Sequence, residues 1–400
     1  MRKPLSPLVA IFITVFLDML SFGVFIPDIQ VRGSNLGAKG LTLGALIAIF
    51  SLAQFVTAPI MGRLSDKIGR RQILIISTVL SILSYCAYGF ATTLPFMFLS
   101  RILGGIGSAN VGVAYAYVAD VTKPMDRAKG MGMIGAAFGL GFVLGPPLGV
   151  LMLELGNNDP MWLGGAGVAL GLVNLLYLVK FLPEPETHGS AGENSFSLQA
   201  FKQALKVPEL SILLLMFFAY GFGFSNLEST YMLLATKQFH WTQMTAGLVL
   251  TLVGVVMAFM QGYFIRILMP KFGERKLVRA GYLIVAPVIA LVPFALPLAV
   301  HLVGVVLLGV GNGMAQPSLG SMISQNTPKT MQGSMFGVTH ALGAFARIVG
   351  PLVGNTLFNQ AYYYPYLFAG LVMLIPVLLS WTSRVKELPR GDSEPIEVAG

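Results

Sequence analysis

Leu41 to Met61 holds twenty-one residues without one charge, and Ile73 to Ala91 nineteen more. An α-helix rises about 1.5 Å per residue, so each run is long enough to cross a hydrocarbon layer roughly 30 Å thick. Comparable stretches recur along the chain, near 8–29, 41–61, 73–91, 94–118, 130–153 and 161–179, then near 210–235, 244–265, 277–296, 298–323, 333–358 and 362–381. Only 11% of the 400 residues are charged, against about 25% in a soluble domain. Such a chain cannot cover itself with polar surface. The expected fold class is all-α, an integral membrane protein of twelve transmembrane helices; the short alternating segments of a porin-type barrel are absent from the sequence.

The charges that do occur set the topology. Met1-Arg2-Lys3 ahead of an apolar run has the look of a signal peptide, but Asp18 interrupts the run and no small-residue cleavage site follows, so an uncleaved first span is expected. Twelve spans bring both termini to one side. Of the 26 Lys and Arg, 21 fall on that side, Arg32, Lys39 and Lys237 fall on the other, and Arg101 and Arg347 lie within spans. Basic residues gather in cytoplasmic loops, so both termini are expected in the cytoplasm. The net charge of +9 is then a topology signal, and nucleic acid drops out as a partner. The single cysteine, Cys86, excludes a disulfide framework or a cysteine metal cluster.

Pro183 to Pro208, with "PEPETHGSAGENS", reads as a polar linker between six spans and six. The expected organisation is a six-helix half at 1–182, a cytoplasmic linker at 183–208 and a second half at 209–400. An internal repeat supports it. Gly145-Pro146 in "GFVLGPPLG" returns as Gly350-Pro351 in "FARIVGPLVG", "KIGRRQIL" at 67–74 returns as "KFGERKLV" at 271–278, and "GGIG" at 104–107 as "GVGNG" at 309–313. The offsets are 205, 204 and 205. Two like halves side by side are a transporter architecture, with the substrate site between them near the midplane.

The loop after the second span, "GRLSDKIGRR", carries five charged residues in ten. It resembles the signature loop of the major facilitator superfamily through Gly62, Asp66, Lys67, Gly69, Arg70 and Arg71. "RILGGIGSA" at 101–109 is similar to the fourth-span pattern of that family. Gly132, Gly141, Gly145, Pro146 and Gly149 match the fifth-span motif of its drug/proton antiporters, with Val150 where a final glycine is usual, and "LDMLSFGVFIP" at 17–27 resembles the first-span motif of the twelve-span exporters. The resemblance implies a cytoplasmic gate, in which Asp66 sits against the start of span 11 near Gly333 and Arg70 bridges Asp66 and Asp120. In the second copy Pro270 and Glu274 replace the aspartate and the first arginine, so a weaker latch is expected there. Pro146-Pro147 is expected to interrupt span 5, and its glycine face to pack on span 8 of the other half, sealing against proton leak.

Ionisable residues inside a bilayer cost at least a few kcal/mol and are functional candidates by default. Asp18 lies near the midplane, where a carboxylate can take a proton from one side and give it to the other, and Arg101 is its expected partner. Glu228 has Tyr220, Phe224 and Tyr231 at helical spacing, a face suited to an amphipathic cation. Asn226, Gln316 and Arg347 complete the expected substrate cavity, Arg347 pairing with Glu228 or holding an anion. The leading expectation is a proton-coupled exporter of small amphipathic molecules or drugs in the bacterial cytoplasmic membrane, monomeric, with small-molecule cargo, protons and lipid as its partners and a proton gradient in place of any cofactor. A metabolite transporter for a sugar, amino acid or siderophore is the alternative, with the fifth-span motif against import. The tetracycline exporters that the resemblance brings in also use acids in spans 3 and 9. Neither 73–91 nor 277–296 holds an acid, so tetracycline is not the expected main cargo. A membrane enzyme is not expected: H-E-x-x-H, a useful Ser/His pair and a complete phosphate loop are all missing from the sequence.

Overall fold

The computed structural model describes residues 6–122, 127–185, 198–294, 297–327 and 332–382. Within them twelve helices are long and apolar enough to cross a membrane: Pro7–Asn35, Gly40–Ile68, Arg70–Gly89, Leu94–Val121, Gly130–Leu155 and Pro160–Phe181 as spans 1 to 6, and Pro208–Lys237, Gln243–Phe272, Glu274–Phe294, Leu298–Gln325, Gly337–Gln360 and Tyr364–Trp381 as spans 7 to 12. The side from which span 1 starts is called the basic side below, the other the outer side. Much of the linker, 186–197, lies outside the described residues, as do several basic residues counted above (Arg2, Lys3, Lys123, Lys329, Arg384, Lys386 and Arg390).

The end of the stretch read as linker is helical, over Leu198–Lys206. Its Ala204 is 1% exposed and, with Phe201, joins the core of the second half. Its apolar residues recur with a helical period that the polar stretch before it had masked. Contrary to expectation, span 5 is unbroken: Arg127–Leu155 is one helix with Pro146 and Pro147 inside it. Two backbone donors are missing there, and the span packs closely on two of its faces.

That packing reverses the expected roles of the glycine face. A Cβ added at Gly145 would lie 2.5 Å from the Gly23 Cα, and Gly141 and Gly149 are as tightly set against Met19 and Val24. All three neighbours belong to span 1, not span 8. What span 5 presents to span 8 is valine: Val143 against Gly254 and Val150 against Gly247. The two valines and the two glycines are each seven residues apart, two helical turns, so they interdigitate as knobs and holes along one antiparallel seam. Val150, the departure from the motif, thus finds its glycine on the partner helix.

A second seam joins span 2 to span 11. Gly44 abuts the backbone of Pro351 and Leu352, and Gly40 abuts Asn359. Eighteen residues are five turns, so Gly62 shares the face of Gly44 and Gly132 the face of Val150. A Cβ at Gly62 or at Gly132 would meet nothing within 4 Å. Among the described residues, both seams make their close contacts toward the outer side, and none is made at Gly62 or Gly132 nearer the basic side. That pattern describes a V opening toward the basic side.

Candidate functional site

Asp18 is 6% exposed and accepts a hydrogen bond from the Asn110 Nδ2 at 3.3 Å. Depth explains this partner. Asp18 lies eleven residues beyond Pro7, and Asn110 lies eleven before Val121, so the two meet at one level of antiparallel spans. Arg101 lies nine residues, roughly 13 Å, nearer the outer side. It does not reach Asp18; its guanidinium stacks on the Phe50 ring at 4.4 Å instead. Asn110 closes a 3₁₀ turn, Ser108–Asn110, that divides span 4 into Leu94–Gly107 and Val111–Val121. The Gln54 amide donates to the Ser108 carbonyl at 2.9 Å and so satisfies backbone at the break. Mid-helix 3₁₀ turns often mark hinges.

At the basic ends of spans 2 to 4, Arg70 is 1% exposed and sits at the centre of a charge cluster. Its Nη1 lies 2.5 Å from Asp66, and its Nε donates to Asp120 at 3.0 Å. The Ser65 hydroxyl takes a further bond at 2.5 Å. Glu184, from the stretch read as linker, caps the start of span 3: its two oxygens accept the backbone N–H of Arg70 at 2.6 Å and of Arg71 at 3.0 Å. An anion is favoured at that positive helix end. Gly69 is required there twice over, since its φ is +104° and an added Cβ would lie 2.8 Å from the Glu184 carboxylate. These bonds all lie within the first half. The turn before span 11, the expected partner of Asp66, is outside the described residues in part, and the environment of Gly333 is not described. In the second half Gly273 repeats the glycine turn with φ +80°, while Glu274 accepts from Ser321 and Gln325, with no ion pair among the described residues.

The expected cavity residues separate into two groups. Phe224 and Glu228 are half-buried, and Gln316 and Arg347 are exposed although each lies well inside its span. Gln316 is joined by Gln261, 3.4 Å away, on a π-helical stretch of span 8, Met260–Phe264. Asn226 and Tyr231 are elsewhere. Asn226 is fully buried against Gly354, on the opposite face of span 7 from Phe224. Tyr231 shares the Glu228 face but lies at the closed outer end, where its hydroxyl meets the His301 ring at 2.8 Å. Tyr220 is buried between Phe224 and Tyr282 and supports the wall from behind. Arg347 acts electrostatically on Glu228, without an ion-pair contact among the described residues.

Sequence patterning missed Asn110, Gln54, Glu184 and Gln261. A lone amide in an apolar span was the available signal for three of them; Glu184 offers none locally.

Residues 11–351 match the family described as Major Facilitator Superfamily, with a second match over 235–397. The chain belongs to that superfamily. It is a membrane transporter and not an enzyme. Multidrug resistance protein 2 of Bacillus subtilis is 28% identical over 397 residues, covering 97% of this chain and 98% of that protein. The tetracycline resistance protein, class B, of Escherichia coli is 25% identical over 362 residues, 89% of each. Among solved structures, the human organic anion transporter MFSD10 superposes with a TM-score of 0.69 at 26% identity, over 94% of this chain and 100% of that one.

Proposed function

We propose that this transporter exports small amphipathic molecules from the cytoplasm in exchange for protons, by alternating access. The basic side is then cytoplasmic, both termini lie there, and the V is the inward-facing state. The observation that carries proton coupling is Asp18. It is a buried carboxyl at mid-depth, hydrogen-bonded to a neutral amide, with no Lys or Arg at ion-pair distance among the described residues. An amide can donate to a carboxylate and accept from a carboxylic acid, so Asn110 can serve both protonation states. A gradient supplies the energy, and no cofactor is required. Similarity to the Bacillus multidrug protein and to the tetracycline protein supports export.

Cargo charge has two supports. Glu228 beside Phe224 suits a lipophilic cation. Arg347, an exposed guanidinium inside a span, favours a second reading in which organic anions are carried, and the likeness to the human organic anion transporter points the same way. The test is efflux of a matched panel of lipophilic cations, anions and neutral compounds from cells, with and without a protonophore. Protonophore-sensitive efflux is expected; efflux that survives protonophore and follows a sodium gradient would overturn proton coupling.

A further inference from the structure

The outer end of span 1, Ile26–Asn35, is a short helix that works on two faces. Asp28 and Arg32, one turn apart, tie it mainly to its own half: the Tyr88 hydroxyl donates to Asp28 at 2.8 Å, and Arg32 donates to the Ala91 carbonyl while lying over the Tyr88 ring, although the Gln243 side chain of span 8 also reaches Asp28. Two residues further on is 200° of rotation, so Gln30 and Ser34 face the other way. They meet span 7 of the second half. The Gln30 Nε2 donates to the Glu228 carbonyl at 2.8 Å, its Oε1 accepts the Met232 N–H at 3.1 Å, and the Lys237 ammonium donates to Ser34 at 2.5 Å. Gln30 is 5% exposed.

The two backbone groups that Gln30 holds are four residues apart. In a regular helix the Met232 N–H and the Glu228 carbonyl bond to each other. One carboxamide from the first half therefore straddles one hydrogen bond of the second half, at the turn that carries Glu228. Span 7 is continuous helix through that turn, so when the halves part on the outer side the Met232 N–H and the Glu228 carbonyl remain paired within span 7 and Gln30 can turn to water. No buried polar group is orphaned in either state, so the contact can break and reform each cycle without the penalty of an unsatisfied group. A charged latch in the same place would pay full desolvation on every closure.

We propose that Gln30 is the latch of the outer gate, and that it positions the Glu228 turn of span 7 only while the outer side is closed. The inference rests on alternating access and holds whichever ion drives transport. Gln30 touches no cargo; it is a positioning residue that acts through span 7.

The experiment measures distances rather than transport alone. In a Cys86→Ser background, one spin-label pair is placed at Glu154→Cys and Gln238→Cys across the outer side, and a second at Lys180→Cys and Lys271→Cys across the basic side. Purified full-length protein in proteoliposomes is then compared with Gln30→Ala and Gln30→Glu. Gln30→Glu keeps the acceptor for Met232 but sets an acceptor against the Glu228 carbonyl. Both variants are expected to enlarge the outward-open population roughly tenfold, since about two net hydrogen bonds favour closure. The outer pair should lengthen as the basic pair shortens. Ser34→Ala, which removes only an exposed contact, should shift the populations far less. A merely structural role would lower thermal stability without exchanging the two distances. Unchanged distance populations in a folded Gln30→Glu protein would overturn the latch, even if transport fell.

Discussion

The V geometry predicts that two glycines on one face of span 2 have opposite effects when enlarged. A Cβ at Gly44 would lie 2.5 Å from the Pro351 carbonyl oxygen and 2.8 Å from the Leu352 Cα, where an ordinary contact begins at 3.4 Å. Both obstacles are backbone, which no rotamer change can move aside. The seam must widen by about 0.9 Å at that level, and overpacking of this kind costs roughly 1–3 kcal/mol. The cost falls only on the state in which the outer seam is closed. Gly44→Ala should therefore move the population toward outward-open by about 5- to 150-fold. Gly62→Ala meets nothing in the present state. Its Cβ is met only when span 2 closes on span 11 at the basic side, so it should retain the inward-open state. The outer and basic spin-label pairs read both shifts, and each variant should slow transport by trapping a different end of the cycle. If Gly44→Ala left both distance distributions unchanged, the seam would not be the closure surface.

Three further outcomes follow from the site geometry. Asp18→Asn should bind cargo and exchange it passively but lose substrate-driven proton movement in proteoliposomes; unchanged proton movement would shift the proton site to Glu228. Glu228→Gln should weaken transport of a lipophilic cation at least several-fold more than that of its neutral isostere, and Arg347→Gln should do the same for an anion, with equal losses across the panel rejecting charge recognition. Asp66→Asn removes one of the two carboxylates that meet the buried Arg70 among the described residues; it should cut transport sharply at normal membrane expression, as read by efflux against surface protein, and full transport would remove the gate from the mechanism.

The twelve spans were legible because a helix in lipid must be apolar for its whole length, and that constraint is written residue by residue. The pseudo-repeat was legible for a related reason: the glycine turn at Gly69 recurs at Gly273, again with positive φ, and no other residue adopts it cheaply. Partnerships across helices were less legible. Arg101 is the cation nearest to Asp18 in chemistry, yet depth places Asn110 opposite it, and depth depends on where span 4 ends. Tyr231 has the right helical phase for the Glu228 face, but phase does not say where along the helix the two halves touch. Glu184 caps a helix more than a hundred residues earlier, and nothing in its neighbourhood announces that.

Span 5 connects the proton candidate to the moving seam. Its glycines lock it backbone-to-backbone onto span 1, the helix that carries Asp18, while Val143 and Val150 on its far side fill the Gly254 and Gly247 notches of span 8. The Gly145 and Gly149 approaches to the Gly23 and Val24 backbone leave little side chain to absorb a relative shift, so spans 1 and 5 should move together. The valine seam is different, being side chain against glycine, and can slide or part at small cost. A change at Asp18 that tilts span 1 is thus delivered undiminished to the one face of span 5 able to give way. The same tilt carries Ile26–Asn35, and with it Gln30, away from span 7. Enlarging Gly145 should break this transmission where enlarging Gly247 only loosens the seal: Gly145→Ala is expected to lower stability and abolish coupled transport together. Gly247→Ala presses only on the Val150 side chain, whose Cγ2 lies 2.6 Å from the added Cβ, and a turned or shortened residue at 150 can yield. Transport in Gly247→Ala should therefore recover when Val150→Ala is added, which removes the Cγ2 that the new methyl meets. Recovery of Gly145→Ala by that same second change would refute the assignment of the rigid face to span 1.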